Sequence, residues 1–167
     1  MRDALVIVTK IISEHHAIKG HIKLAGDTVN DIEALFALQR TQSGWGRTSI
    51  AALGEKREQL LQTISFLEEG LRNHFGLEEE SLPPLLGKVL TKAILHEHRR
   101  ISEQIGTAKS TLAGIELEGL EQRELLSKKS AIQQSIDSLC QAVEEHAQRE
   151  ETILNMIKNT LEHNRAR

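Results

Sequence analysis

The sequence predicts an all-α protein, folded as an up-down-up-down antiparallel four-helix bundle. Aliphatic residues recur every three or four positions over most of the chain, a pattern typical of helices that bury one face. Aromatic residues make up only 2% of the 167 residues, and tyrosine is absent, so the core composition suits packed helices better than a β-sandwich. The two prolines, Pro83 and Pro84, are adjacent, which permits long helices on either side of them.

Clusters of helix-breaking residues divide the chain into four segments. The predicted helices cover about residues 3–42, 49–82, 86–113 and 120–163. They are separated by a turn at Ser43–Gly46, by the proline pair, and by a turn around residues 114–119. Such short connections imply antiparallel neighbours, and Trp45 in the first turn is expected to cover the far end of the core.

Length, charge and cysteine usage narrow the class of protein. A chain of 167 residues suits one domain with a substantial core, so a single domain over residues 1–167 is expected. The net charge of -3 gives no basic surface for nucleic acid. The single Cys140 cannot form an internal disulfide, which favours a reducing cytoplasm. The apolar run Ala4–Val8 is too short to span a membrane and is interpreted as the start of the first helix.

Polar residues interrupt the apolar stripe of every predicted helix. The interruptions are His15 in the first helix, His74 and Glu78 in the second, His98 in the third, and His146 and Glu150 in the fourth. Glutamate is almost never buried without a partner, and burying it as an ion costs several kcal/mol. Six such residues on inward-facing stripes therefore need a common explanation.

These residues are expected at similar levels of the bundle. His15 and His74 are almost equally far from the Ser43–Gly46 turn, so antiparallel helices bring them to one level. The midpoint between His98 and His146 in the sequence lies about one helical turn past the predicted turn at residues 114–119. All four histidines should therefore occupy one layer, or two adjacent layers, nearer the prolines than the first turn.

The chain also contains an internal repeat. Glu14-His15 is echoed by Glu97-His98, and the segment HFGLEE at residues 74–79 is echoed by HAQREE at residues 146–151. Each half thus combines a helix that carries a histidine with a helix that carries HxxxE. The pattern predicts a duplication, with halves of about residues 1–85 and 86–167.

This pattern resembles the hemerythrin-like HHE cation-binding family over nearly the full length of the chain. The segment HFGLEEESLPPL at residues 74–85 is similar to the family's HxxxEE motif followed by a proline-ended helix. The resemblance implies two non-haem iron ions inside a four-helix bundle. Carried over position by position, it implies the metal ligands His15, His74, Glu78, His98, His146 and Glu150, with the two glutamates bridging the ions.

The chemistry of iron suits this set of residues. Iron accepts imidazole nitrogen and carboxylate oxygen, and residues four apart on a helix project from the same face. With two histidines and two bridging carboxylates, an octahedral ion keeps about two positions for an oxo or hydroxo bridge, water, O2 or NO. Zinc or manganese would accept the same donors.

The sequence departs from the oxygen-carrying hemerythrins at two positions. Their third helix has HxxxH, but the residue four positions after His98 is Ser102. Their fourth helix has HxxxxD, but the residue five positions after His146 is Glu151. These differences argue against a dedicated oxygen-carrier role. They also leave Glu151 as an alternative to Glu150 as the metal ligand. The expected function is binding or sensing of O2, NO or iron, or a response to nitrosative or oxidative stress, and a binding or sensing domain is favoured over an enzyme. The sequence specifies no protein partner.

Two other interpretations remain open. The segment His16–Gly20, HAIKG, resembles the HxLKG segment of histidine phosphotransfer domains, where an exposed histidine accepts a phosphoryl group. That interpretation leaves the six stripe residues unexplained. A structural helical bundle without metal is the other.

A few remaining residues carry expectations of their own. The histidines at positions 16, 21, 96 and 163 fall off the stripes and are expected in solvent, with His16 and His96 close enough to be substitute ligands. Glu79 and Glu80 are expected on a solvated face. Gly76, between His74 and Glu78, indicates a tolerated weak point in the helix, a close approach of another helix, or a gap for a diatomic gas.

Overall fold

The computed structural model describes residues 2–40, 47–115 and 122–164, and these form four helices. They are α1 (Arg2–Arg40), α2 (Arg47–Ser81), α3 (Pro83–Ala113) and α4 (Gln122–His163). Each helix packs against two neighbours, in the cyclic order α1–α2–α3–α4, and the described parts of the diagonal pairs make no close backbone approach. The predicted four-helix bundle is confirmed. The turn at 43–46, with Trp45, and residues 116–121 lie outside the described ranges.

Ion pairs and hydrogen bonds between neighbouring helices show that the helices run antiparallel. Along α1 and α2, Glu14 Oε2 lies 2.9 Å from His74 Nδ1, while the later Asp31 Oδ2 lies 2.7 Å from the earlier Lys56 Nζ. The same opposition of residue numbers relates α1 to α4, where Lys19 pairs with Glu151 and the later Glu33 pairs with the earlier Lys129. None of the described helices has an apolar stretch long enough to cross a bilayer.

The predicted apolar stripes form the core, with one change of phase. The stripe residues of α2, such as Leu60 and Ile64, have no exposed surface. Near the end of α4, however, Leu154 is fully buried, whereas the predicted Ile153 is half-buried. The predicted stripe of α4 follows a seven-residue repeat. An α-helix has 3.6 residues per turn, so its buried face drifts away from such a repeat over several turns.

The six polar stripe residues separate two apolar clusters. The main cluster contains Ile18 on α1 and Val143 on α4, and a smaller cluster near the prolines contains Val8, Ile11, Leu82 and Leu154. Along α1 and α4 the polar residues fall between these clusters. Apolar packing therefore shields the polar layer from water on both sides.

The proline pair begins α3, whereas the sequence predicted that it would end α2 and that the next helix would start near residue 86. Leu82 is the one residue between the two helices, and its amide donates to the Glu78 carbonyl at 2.8 Å. Pro83 and Pro84 occupy the first two positions of α3, where backbone amides have no helical partner. Gly87 then adopts φ 71° and ψ 173°, which kinks the helix after its first turn.

We expect Gly87→Ala to destabilise the protein, because this backbone conformation is essentially restricted to glycine and costs other residues about 1–3 kcal/mol. Gly106→Ala is the matched control in the same helix, since an added Cβ there meets no atom within 4 Å. The control should stabilise the helix by roughly 0.5–1 kcal/mol. Urea denaturation of both variants measures the difference. Equal changes in unfolding free energy would show that the kink does not depend on Gly87.

Candidate metal centre

The structure brings the six polar stripe residues together in one buried layer. Each exposes only 1–2% of its surface. The histidines form two pairs, with ring centroids 4.7 Å apart for His15 and His74 and 5.0 Å apart for His98 and His146. One pair belongs to α1 and α2, and the other belongs to α3 and α4.

Each buried glutamate reaches one histidine of each pair. Glu78 Oε1 lies 2.7 Å from His74 Nε2, and Glu78 Oε2 lies 3.1 Å from His98 Nε2. Glu150 Oε2 lies 3.4 Å from His15 Nε2 and 3.5 Å from His146 Nε2. Both carboxylates therefore lie between the two histidine pairs, in positions suited to bridging two cations.

The potential ligand atoms fall into two overlapping groups. Ligand atoms of His15, His74, Glu78 and Glu150 all lie within 4.8 Å of one another. A second group of the same compactness contains Glu78, His98 and His146. Because Glu78 belongs to both groups, the two groups form one continuous candidate metal site.

The inner atoms of this layer lack hydrogen-bond partners. They are the Nε2 atoms of the four histidines and all four carboxylate oxygens of Glu78 and Glu150. Even the short contacts of Glu78 lack hydrogen-bond geometry. A buried polar atom without a partner costs about 1–3 kcal/mol, and eight of them would rival the ~5–15 kcal/mol net stability of a whole domain. Imidazole nitrogen and carboxylate oxygen are metal donors, so cations would satisfy all eight atoms.

The two buried glutamates have opposite pKa shifts. Burial alone raises the pKa of Glu78, but contacts with three histidines outweigh it, so the net pKa lies well below the usual range. Burial and the neighbouring Glu78 carboxylate raise the pKa of Glu150 to about 7. Burial lowers the pKa of His15, but the two carboxylates raise it overall to about 9. Two ionised carboxylates in one apolar layer repel each other, and positive charge between them stabilises both.

Comparison with known protein families accounts for a buried layer of this composition. The sequence profile of the hemerythrin HHE cation binding domain family matches residues 6–127. The chain belongs to this family. The match covers most of α1, all of α2 and α3, and the beginning of α4. Comparisons with curated proteins and with solved structures give no significant match. HHE domains bind metal ions, and the buried cluster of histidines and glutamates fits such a site.

Outside the inner layer of this HHE domain, glutamates from neighbouring helices contact the histidines at Nδ1. The distances are 2.9 Å from Glu14 to His74, 2.8 Å from Glu79 to His98, and 2.9 Å from Glu97 to His146. A carboxylate can only accept, so Nδ1 carries the proton in these three pairs. When the ring is neutral, Nε2 then carries a lone pair directed at the inner layer, and this is the tautomer that a metal ligand requires.

The fourth histidine has a weaker outer contact. His15 Nδ1 lies 3.4 Å from Glu151 Oε1 without forming a hydrogen bond, and Lys19 donates to that oxygen at 2.7 Å. Glu151 is therefore on the outer side of His15, whereas Glu150 is buried in the inner layer. Of the two alternatives left by the sequence, Glu150 is the residue placed to ligate a cation.

We call Glu14, Glu79, Glu97 and Glu151 the outer glutamates. Sequence reasoning missed their contacts because they lie off the apolar stripes, and it expected Glu79 on a solvated face. The Glu79 side chain is indeed 44% exposed, yet its carboxylate accepts from His98. The available signal was the repeat itself, since Glu14 and Glu97 each precede a stripe histidine by one residue.

The histidines off the stripes take no part in the layer. His16, His96 and His163 are exposed, and His21 is half-buried with Nδ1 on its own helix at the Ala17 carbonyl. His16 Nδ1 similarly contacts the Ile12 carbonyl at 3.1 Å. Neither His16 nor His96 is placed as a substitute ligand.

Gly76 does not mark a close approach of helices, because an added Cβ would meet no atom within 4 Å. It borders instead an open groove between α2 and α3. The interpretation as close helix packing is therefore wrong.

We expect Glu79→Ala to weaken metal binding by about 10–100-fold, because an outer partner fixes the orientation and basicity of a ligating histidine. Glu80→Ala is the matched control, since Glu80 is the exposed next residue of the same helix. Competition with a chelator of known affinity measures the metal affinity of both variants. An affinity unchanged in Glu79→Ala, or reduced equally in Glu80→Ala, would contradict a role for the outer contact.

Proposed function

We propose that this HHE domain holds two iron ions and binds or senses O2 or NO. The observation that carries the proposal is the convergence of four histidine Nε2 atoms and four carboxylate oxygens, all without hydrogen-bond partners, between the helices. In this assignment His15 and His74 hold one ion and His98 and His146 hold the other. Glu78 and Glu150 lie between the pairs and bridge the ions. Ferrous iron supplies the capacity to bind a diatomic ligand when positions remain open.

The protein contributes three things to this chemistry. The inner carboxylates neutralise cationic charge inside an apolar layer, where an unpaired charge is very costly. The outer glutamates hold three imidazoles as neutral ligands with Nε2 directed inward. The apolar clusters on both sides of the layer limit access of water. A low-polarity, preorganised site of this kind favours binding of a small ligand over loss of the metal.

The phosphotransfer alternative gains no support from the side chains around His16. Lys19, which would neutralise a phosphoryl group, instead donates to Glu151 at 2.7 Å. His15 and the inner layer lie on a different face of α1 from His16, and phosphotransfer would give the inner layer no role. The family match to a cation-binding domain favours the metal assignment.

Two further properties belong to the proposal. The chain forms a single domain built from two duplicated halves, because equivalent residues of the halves make equivalent outer contacts: Glu14 with His74, and Glu97 with His146. The protein acts in a reducing cytoplasm, in which Cys140 stays a thiol. Burial, with the nearby Asp137 and Glu144, raises the pKa of that thiol to about 11.

Iron content tests the ligand assignment through two adjacent histidines. Protein purified without oxygen should contain two iron ions per chain, and zinc or manganese in their place would revise the metal. His15→Ala should weaken or empty one position, because His15 is buried with Nε2 in the inner layer, whereas His16→Ala should leave loading intact. Iron loading should also raise the melting temperature by mass action. Full loading in His15→Ala, with phosphorylation by a small phosphodonor abolished in His16→Ala, would instead support phosphotransfer.

Reaction with gases tests the function. The anaerobic ferrous protein should change its optical spectrum on addition of O2 or NO, because the four histidines and two carboxylates leave positions open on each ion. Zinc-loaded protein is the control, since it has the same ligands without the redox chemistry and should show no change. If the ferrous protein is silent to both gases, binding and sensing fail, and a storage or structural role takes their place.

A further inference from the structure

We infer that the external ligand reaches the centre through the groove between α2 and α3 and binds on the side of His98 and His146, with Phe75 as the gate. This inference rests on the proposed binding of a diatomic ligand. It adds the route, the binding position and the residue that controls access.

The groove between α2 and α3 leads from solvent to the polar layer. Its volume is about 510 Å³, and its lining includes Leu71, Phe75, Gly76, His98, Ser102 and Ile105. Gly76 contributes to its width, because a Cβ there would meet no atom within 4 Å. The groove therefore extends to the edge of one inner histidine, His98.

Phe75 separates the groove from the histidine pair of α3 and α4. Its ring lies flat on the His98 ring, with centroids 3.8 Å apart and planes 10° apart. The same ring meets His146 edge-on at 5.6 Å. Phe75 is buried, yet this contact with His98 is stacking without a directional hydrogen bond, so a change of side-chain rotamer can uncover the imidazole.

The donor atoms behind Phe75 form a smaller compact group than those around His15 and His74. The compact group around His98 and His146 contains one glutamate, whereas the group around His15 and His74 contains two. Glu150 Oε2 lies 3.5 Å from His146 Nε2. Glu150 is not part of the group of ligand atoms around His98, however, in which all atoms lie within 4.8 Å of one another. Glu150 is therefore grouped more closely with the histidine pair of α1 and α2, which leaves the groove side as the less crowded side of the layer.

Ser102 leaves that position open. It lies one turn after His98 and lines the groove, but its hydroxyl donates to the His98 carbonyl at 2.9 Å. This bond directs the hydroxyl back along its own helix. No donor from this part of α3 completes the coordination.

The lining of the inner end indicates the class of ligand. Leu71, Phe75 and Ile105 are buried apolar residues, whereas the charged residues Arg72, Arg99 and Glu103 are exposed. Glu79 also lines the groove, and its carboxylate is already paired with His98. A hydrated ion would lose water against such a surface without compensation, whereas O2 and NO are uncharged and small. The route therefore selects uncharged diatomic ligands.

A second groove supplies a matched control. It lies between α1 and α2, has a volume of about 310 Å³, and is bordered by Gly70 and His74. Gly70, like Gly76, is exposed on α2, and a Cβ there meets no atom within 4 Å. Gly70→Leu and Gly76→Leu therefore place the same side chain in two different grooves of one helix.

The test is the rate at which anaerobic ferrous protein reacts with NO after rapid mixing. Variants are first matched for iron content and melting temperature. Gly76→Leu should slow the reaction by about tenfold, the effect of a barrier raised by 1.36 kcal/mol. Gly70→Leu should react like the unsubstituted protein, and Phe75→Leu should react faster because it removes the flat ring from His98.

Xenon provides a readout that does not depend on reaction with the metal. Crystals under xenon pressure should bind the gas against Phe75, because xenon occupies apolar sites. Gly76→Leu should displace it, and Gly70→Leu should not.

The outcomes separate the route from the function. If the unsubstituted protein reacts with NO but Gly76→Leu is no slower than Gly70→Leu, the route is overturned and the proposed function stands. Slowing confined to Gly70→Leu also overturns it, and places access between α1 and α2. If the iron-loaded protein does not react with NO or O2 at all, the proposed function fails and the route fails with it.

Discussion

The burial of two glutamates among four histidines is the interaction on which the rest of the structure depends. Glu78 and Glu150 are removed from water almost completely, and ionised carboxylates in such surroundings are stable only beside compensating positive charge. Imidazoles compensate in part, as the opposite pKa shifts of Glu78 and Glu150 show. Bound cations would complete this compensation and would also satisfy the inward-facing nitrogen atoms. Apolar clusters lie above and below the layer and offer no charge, so the positive charge that compensates the carboxylates has to lie within the layer itself.

The outer glutamates connect this layer to the packing of the helices. α1 supplies Glu14 to a histidine of α2, α2 supplies Glu79 to α3, and α3 supplies Glu97 to α4. Each of these contacts joins neighbouring helices and at the same time orients a potential ligand. Changes in helix packing and changes in ligand orientation are therefore linked. Only the contact from α4 back to α1, Glu151 with His15, lacks hydrogen-bond geometry.

The helices and the inner layer were predictable because they follow from the phase of the apolar stripes. A histidine or glutamate in phase with buried leucines must face inward, and matched distances from a turn set its level. The outer contacts were not predictable in this way, because Glu79 leaves the stripe and reaches His98 only through its long side chain. Phe75 was missed for a related reason: it follows His74 directly, about 100° around the helix, and it is buried by contacts with α3 and α4. The start of α3 depended on proline geometry, which composition alone does not resolve.

The outer glutamates also have a consequence for the handedness of the bundle. Apolar stripes point to a common axis and are equally satisfied whether the chain winds around that axis clockwise or anticlockwise. In α1 and α3 the outer glutamate precedes the inner histidine, whereas in α2 and α4 it follows the inner glutamate. Because adjacent helices run in opposite directions, all four are offset in the same rotational sense. In a bundle of the opposite winding they would face the wrong neighbours, so these four carboxylates favour one of two topologies that the hydrophobic core does not distinguish.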